Sequence, residues 1–295
     1  MRITQRAVAL TSLQGLNRNL DAVGKLQQQL TSGRLINAPS DSPTGTNRAM
    51  QTRGDQAAVA QQGRNISDAT SWLEQGDSTL REMLDTTRRV RDLTVQGLNT
   101  GAVSEASQKA LATEVASLRE GLLSLANTAV QGRPLFGGVT PDQKAYNDDG
   151  TWAGLAGPQT KLRVSESEQV RVDLTGPEAF GPDGGNLFDI VQRITTNLTN
   201  TTDPAALATD LADLDVAIQR MATSVADIGT RAARVDRAEM MNFDRSLTLK
   251  AQLGETENVD LPNTIMQLEM QKVGYEAALA ATAKAISPTL MDYLR

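Results

Sequence analysis

The chain has 295 residues, a formal net charge of −6 and neither cysteine nor histidine. Without cysteine it has no disulfides and no thiol chemistry, and without histidine it lacks the usual zinc ligand and the usual general base at neutral pH. Aromatic residues make up only 3% of the chain, so long thin helices packed in pairs are a better expectation than a thick globular core. These features argue against an enzyme, and no cofactor or metal is expected.

The distribution of charge and hydropathy also points away from nucleic acid and from membranes. Acidic and basic residues are interspersed, and no basic block of the kind that binds nucleic acid or anionic lipid is present. No run approaches the roughly 20 apolar residues of a membrane-spanning helix. The start of the chain lacks the apolar stretch of a signal peptide, so any export is expected to proceed without signal cleavage.

An amphipathic helix is predicted from Ile3 to Leu30. Its large apolar residues recur at alternating steps of three and four, a heptad seam interrupted only by Gln27. Gly15 and Gly24 each weaken an isolated helix by up to about 1 kcal/mol relative to alanine, so this helix needs a partner. The seam residues that we expect at an assembly interface are Leu13, Leu16, Leu20, Val23 and Leu30.

A helix break follows between Thr31 and Gly45. Gly33 can adopt the left-handed conformation that ends a helix. Pro39 and Pro43 disfavour helical backbone angles in the residues that precede them. The side-chain oxygens of residues 40–42 are suited to capping the next helix, so the segment predicts a helix–turn–helix connection.

Two long helical patterns occupy the next part of the chain. They run from about Gly45 to Leu98 and from Ser104 to about Val130, and we expect them to form an antiparallel pair. From Gln131 to Gly185 glycine and proline become dense, and short alternating runs predict β-strands. This region is interpreted as a small β-rich insertion held out by the helices.

Three aspartates near a glycine in this insertion are the one candidate metal site. Because the spacing of Asp142, Asp148 and Asp149 does not match an EF-hand loop, a solvated turn is a better interpretation than a calcium site.

Helical periodicity returns at Asn186 and becomes the cleanest heptad of the chain after Pro204. Asp260 and Pro262 then predict the cap and the first turn of a last helix. The apolar residues of that helix again recur at spacings of four and three, and Lys272 occupies one position of this seam. The residues that we expect at an assembly interface are Leu261, Ile265, Leu268, Tyr275, Leu279 and Ile286.

The pattern as a whole predicts a mainly α fold, with a long antiparallel, coiled-coil-like bundle formed by both chain ends and a small β-rich insertion in the middle. We expect three regions: a terminal coiled coil of residues 1–38 and 258–295, a helical bundle of 39–131 and 186–257, and the insertion of 132–185. The end helices alone bury too little apolar surface to offset the conformational entropy that they lose on folding, which costs about 1–2 kcal/mol per residue. Contacts with other chains would supply the remaining stabilisation.

The helix break resembles the N-terminal motif of the bacterial flagellin superfamily. Its Pro-Ser-Asp-x-Pro form is more typical of the hook–filament junction members than of filament flagellins, which tend to have Ala-Lys/Asp-Asp-Ala-Ala-Gly there. Residues 1–4, 127–138 and 290–295 match the same family. The motif residues are Gly33, Asn37, Pro39, Asp41 and Pro43.

This resemblance implies a structural protein that joins hook and filament and adapts two helical lattices by packing its terminal helices. The end helices would form an inner, tube-lining layer. The chain would be extracellular, exported by the flagellar type III route. Implied partners are copies of itself in a ring, another hook-associated protein on the hook side, flagellin on the filament side and an export chaperone in the cytoplasm. Two alternatives stay open: filament flagellin itself, and a cytoplasmic coiled-coil binding protein.

Overall fold

The chain is mainly helical in the computed structural model, which describes residues 5–99, 104–140, 144–200 and 204–286. The helices are α1 (Gln5–Ser32), α2 (Pro43–Leu98), α3 (Glu105–Ala126), α4 (Gly176–Phe180), α5 (Leu187–Asn200), α6 (Pro204–Glu257) and α7 (Leu261–Ile286). The short strands are β1 (Ala129–Val130), β2 (Arg133–Pro134), β3 (Lys161–Arg163) and β4 (Gln169–Arg171). The predicted mainly α class with a small β-rich middle is confirmed.

Contacts divide the chain into two compact units. One contains residues 1–58 and 245–295, and the other contains residues 59–244. In the first unit α1 packs against α7, so the two end helices lie side by side as the sequence predicts. The division into three regions stays a prediction.

The core of the second unit is built from the predicted heptad seams. Leu73 and Leu80 of α2 are 1% and 0% exposed, and Leu214 and Met221 of α6 are fully buried. Helix α3 packs on α5, whose inward positions include the buried Ile194. Each large apolar side chain contributes about 1.5–3 kcal/mol when fully buried. These seams therefore form an internal core.

A buried carboxylate joins α5 to α6 within this unit. The Asp210 side chain is 5% exposed and lies 2.8 Å from the Arg193 guanidinium. Asn197 Nδ2 donates to the same carboxylate at 2.6 Å. The charge is thus both paired and hydrogen-bonded, as a buried carboxylate requires.

The β-rich segment consists of two antiparallel pairs, β1 with β2 and β3 with β4. Two arginines of α6 hold the second pair. Arg231 Nη1 donates to the Asp173 carbonyl oxygen at 2.9 Å, and Arg234 Nε donates to Glu168 Oε1 at 3.0 Å. Two-stranded sheets are marginal by themselves, so their attachment to a long helix is what makes them stable.

Helix α3 ends earlier than periodicity predicts, at Ala126 rather than near Val130. The reason is a tertiary contact of Asn127. Its Oδ1 accepts hydrogen bonds from the backbone N–H groups of Ala145 and Tyr146, both at 2.8 Å. Its Nδ2 donates to the Tyr146 carbonyl oxygen at 3.0 Å.

Four aromatic rings cluster where the β-rich segment meets α5. The ring centroids of Phe136 and Phe180 lie 4.9 Å apart, and those of Tyr146 and Phe188 lie 4.7 Å apart. All four residues are fully buried. The Tyr146 hydroxyl has no hydrogen-bond partner among the described residues. Its burial raises the pKa of the phenol far above the ordinary range.

We predict that Tyr146→Phe stabilises the chain by up to about 1–3 kcal/mol, because it removes a buried hydroxyl that makes no hydrogen bond. Phe180→Ala, in the same cluster, should destabilise it by about 3–5 kcal/mol. Urea unfolding of the full chain measures both changes. A loss of stability in Tyr146→Phe would mean that the hydroxyl has a partner in solution.

Candidate assembly surface of the end helices

Two non-helical connectors join the end helices to the rest of the first unit. They are residues 33–42, between α1 and α2, and residues 258–260, between α6 and α7. Leu35 N–H donates to the Glu257 carbonyl oxygen at 2.7 Å, and Val259 N–H donates to the Gly33 carbonyl oxygen at 3.1 Å. This short antiparallel ladder places the end of α1 beside the start of α7.

Glu257, the last residue of α6, strengthens the ladder. It is 9% exposed, and its Oε2 accepts a hydrogen bond from Arg53 Nη2 of α2 at 2.8 Å. Sequence reasoning missed this residue because its partner lies 204 positions away in the chain. The one feature of the local sequence that could have pointed to Glu257 is its position just before the end of the helix.

The connector motif has the local structure that its sequence predicts. Gly33 has a φ of +68°, the left-handed conformation that ends α1. Ser42 Oγ accepts a hydrogen bond from Gly45 N–H at 3.1 Å and so caps α2. Pro43 is the first residue of α2, where its missing N–H has no consequence.

Asp41 organises the turn rather than capping the helix. Its Oδ2 accepts hydrogen bonds from the backbone N–H groups of Asn37 and Ala38, at 3.1 and 2.9 Å. Its Oδ1 lies 3.0 Å from Lys25 Nζ of α1. The bond from Ala38 and the Lys25 ammonium hold the pKa of Asp41 below its usual range. Asp41 thereby ties the connector to α1.

The predicted interface residues separate into two groups. Half-buried or buried residues of the paired helices α1 and α7 are Leu16, Val23, Leu30, Leu268 and Tyr275. Exposed residues, each with about half of its surface in solvent, are Leu13, Leu20, Leu261, Ile265 and Leu279. The Ile286 side chain lies outside the described residues. The predicted seam residues therefore lie on two faces of each helix, one buried within the chain and one exposed to solvent.

Further exposed apolar residues on α7 were not predicted by the heptad. Met266, Met270 and Val273 are 58%, 69% and 64% exposed. They lie away from the half-buried face, so α7 carries large apolar side chains on two opposite faces. An apolar face of a helix is normally buried against another element. The overall apolar composition of this helix was the signal that could have found them.

The face between α1 and α7 is unexpectedly polar. Gln29 and Thr264 are each only 7% exposed, and Gln29 Nε2 donates to the Leu35 carbonyl oxygen at 2.9 Å. Gln27, the glutamine of the predicted seam, is exposed like Leu13 and Leu20. Gln29 takes the inward position because its amide reaches the connector.

The described residues offer no metal-binding constellation. They contain no group of three acidic side chains placed to hold a metal ion. Asp148 pairs with Lys144 at 3.3 Å, and Asp149 Oδ1 accepts a hydrogen bond from Thr151 N–H at 2.8 Å in a turn. Asp142 lies outside the described residues. No described helix is long and apolar enough to cross a membrane.

We predict that Asp41→Asn loosens the first connector, because the neutral amide loses the ion pair with Lys25 and its oxygen is a weaker acceptor than a carboxylate for the two backbone N–H groups. Hydrogen exchange of the Asn37 and Ala38 amides should become faster. Since the folded pKa of Asp41 is lowered, its contribution is present above its unfolded pKa and is lost as the pH falls below about 4.

The matched control is Asp55→Asn, which changes an exposed aspartate of α2. It should leave the exchange of both amides unchanged. Equal exchange in Asp41→Asn and the parent protein would show that the turn holds without the carboxylate.

Comparison with known proteins connects this architecture to the flagellum. The family model for the bacterial flagellin N-terminal helical region matches residues 3–140. Flagellar hook-associated protein 3 of Escherichia coli is 28% identical over 274 residues, which cover 88% of this chain and 82% of that protein. Flagellin of Bacillus subtilis is 24% identical over 299 residues, which cover 97% and 96%.

The fold is similar to that of a solved flagellar protein. The crystal structure of the flagellar junction protein FlgL from Legionella pneumophila matches with a TM-score of 0.58 at 17% identity, covering 72% of this chain and all of that one. The chain is thus similar over most of its length to flagellar hook-associated protein 3, and its residues 3–140 match the bacterial flagellin N-terminal helical region.

Proposed function

We propose that this chain is a structural protein of the extracellular bacterial flagellum and forms the junction between hook and filament. The observation that carries the proposal is the apolar surface left outside the α1–α7 pair, on a chain whose relatives include flagellar hook-associated protein 3. The Pro39–Pro43 motif, with Asp41 at its centre, favours the junction protein over filament flagellin.

Burial of the outer apolar residues supplies a physical reason for assembly. Leu13, Leu20, Leu261, Ile265 and Leu279 are 47–52% exposed. A large apolar side chain contributes about 1.5–3 kcal/mol when it moves from full exposure to full burial. Because these five residues are already about half-buried, burying the remainder of each would contribute about half of that free energy. The sum favours contact between neighbouring chains, before the entropy of association is subtracted.

The chain associates with other flagellar components, and we infer which ones from the resemblance. The proposed neighbours are copies of itself in a ring, another hook-associated protein below and flagellin above. An export chaperone would hold the apolar end helices in the cytoplasm. We propose that the role is mechanical and that the chain is not an enzyme, because the relatives that it resembles are flagellar hook-associated protein 3 and flagellin.

Filament flagellin is the second candidate, because the Bacillus subtilis flagellin matches nearly the whole chain. The two functions differ in what happens when the gene is removed. A junction protein is needed for other subunits to start a filament, whereas a flagellin is the filament itself.

An in-frame deletion of the gene is expected to give bare hooks, with flagellin shed into the medium as monomers. Electron microscopy of the hooks and immunoblotting of the medium measure this. Loss of the main flagellin band would instead make the chain the filament protein. Normal flagella and normal motility would contradict both roles and leave a cytoplasmic coiled-coil protein as the remaining candidate.

Leu279→Asp is expected to abolish motility while leaving the fold intact, because it places a charge on an exposed face of α7 that we assign to a neighbouring chain. The matched control is Leu155→Asp. Leu279 and Leu155 are 47% and 56% exposed, but Leu155 lies in the β-rich segment. Swimming assays and circular dichroism of both purified chains provide the comparison. Full motility of Leu279→Asp would argue against this interface.

A further inference from the structure

Helix α7 turns its more polar face towards α1. On that face Thr264 is 7% exposed and Gln271 is half-buried beside Leu268, whereas Met270 and Val273 on the outer face are 69% and 64% exposed. A pair of helices that formed only to bury its own apolar surface would adopt the opposite arrangement. Apolar burial within the chain therefore does not explain the rotational position of α7 about its axis.

A hydrogen bond between two side-chain amides lies near the middle of this interface. Gln271 Nε2 donates to Asn19 Oδ1 at 3.0 Å. Both residues are half-buried, so neither amide is fully free to bond with water instead. If α7 rotated to present Met270 or Val273 to α1, this hydrogen bond would break.

The connector ladder constrains a different degree of freedom. The hydrogen bonds of Leu35 and Val259 hold the start of α7 beside the end of α1 and so set how far the helices overlap. They lie about three helical turns from Gln271. Over that distance the rotation of the helix needs a second contact.

We propose that the Asn19–Gln271 pair is the positioning contact that sets the rotation of α7 against α1. It keeps Met266, Met270 and Val273 turned outwards. A polar residue in the seam of a coiled coil acts in the same way, selecting one arrangement at a cost in stability. The consequence for assembly rests on the proposed function, but the rotation itself does not.

Cysteine cross-linking can read this rotation, because the chain contains no cysteine of its own. Leu16→Cys with Tyr275→Cys reports the observed face, since both residues are half-buried between the helices. Leu16→Cys with Val273→Cys reports a rotated helix, because Val273 lies at nearly the same height but faces outwards. A disulfide forms only when the two Cα atoms come within about 7 Å.

In a chain that keeps Asn19 and Gln271, we expect Leu16→Cys to cross-link to Tyr275→Cys and not to Val273→Cys; this is the parental pattern. Combining Asn19→Leu with Gln271→Leu should raise the rotated cross-link at least about tenfold, which corresponds to roughly 1.4 kcal/mol. Exchanging the two amides, Asn19→Gln with Gln271→Asn, keeps a hydrogen-bonded pair and should restore the parental pattern.

The matched control is Asn17→Leu with Gln267→Leu. It changes the same residue types at exposed positions of the same two helices, so it should keep the parental pattern. A change in stability alone would not move the cross-link from one face to the other.

The cross-links are measured on the purified full-length chain and on flagella sheared from cells. A parental pattern in the Asn19→Leu, Gln271→Leu chain would overturn the proposal, and so would an equal rise in the control. A purified parent chain that cross-links equally on both faces would also overturn it. A deletion strain with normal flagella would contradict the proposed function while leaving the cross-linking result valid.

Discussion

The pairing of α1 with α7 through a partly polar interface is the constraint on which the first unit depends. Thr264 and Gln29 are buried there, while Met270 and Val273 are exposed. A chain that functioned alone would gain stability by burying those apolar side chains instead. The arrangement is stable enough to place the two ends together, and it keeps the apolar faces available for other chains.

The connectors make this arrangement possible. Gly33 ends α1, and Asp41 stabilises the turn that follows. The hydrogen bonds between residues 33–35 and 257–259 then hold the two connectors together. Polar contacts suit this position because they are directional and short-ranged. They therefore fix the direction of the end helices without burying the apolar residues that an assembly interface needs.

The second unit follows the opposite principle. Its heptad seams are satisfied inside the chain, where Leu73, Leu80 and Met221 are almost completely buried. Arginines of α6 then hold the β-rich segment through Arg231 and Arg234. One chain thus combines a self-sufficient bundle with a terminal pair whose apolar surface is incomplete, a combination that suits a protein that joins other proteins.

The sequence by itself determined the helices, their seams and the connector turn, because periodicity and the conformational preferences of Gly33 and Pro43 act locally. It also located the apolar heptad residues of the end helices, although not Met266, Met270 and Val273. Only the tertiary structure decided that Leu20 and Leu279 face outwards while Leu268 faces inwards. It alone revealed the Arg53–Glu257 and Asn19–Gln271 contacts. The physical reason is that a heptad specifies a stripe along one helix, whereas the choice between neighbours depends on polar partners more than 200 positions away in the chain.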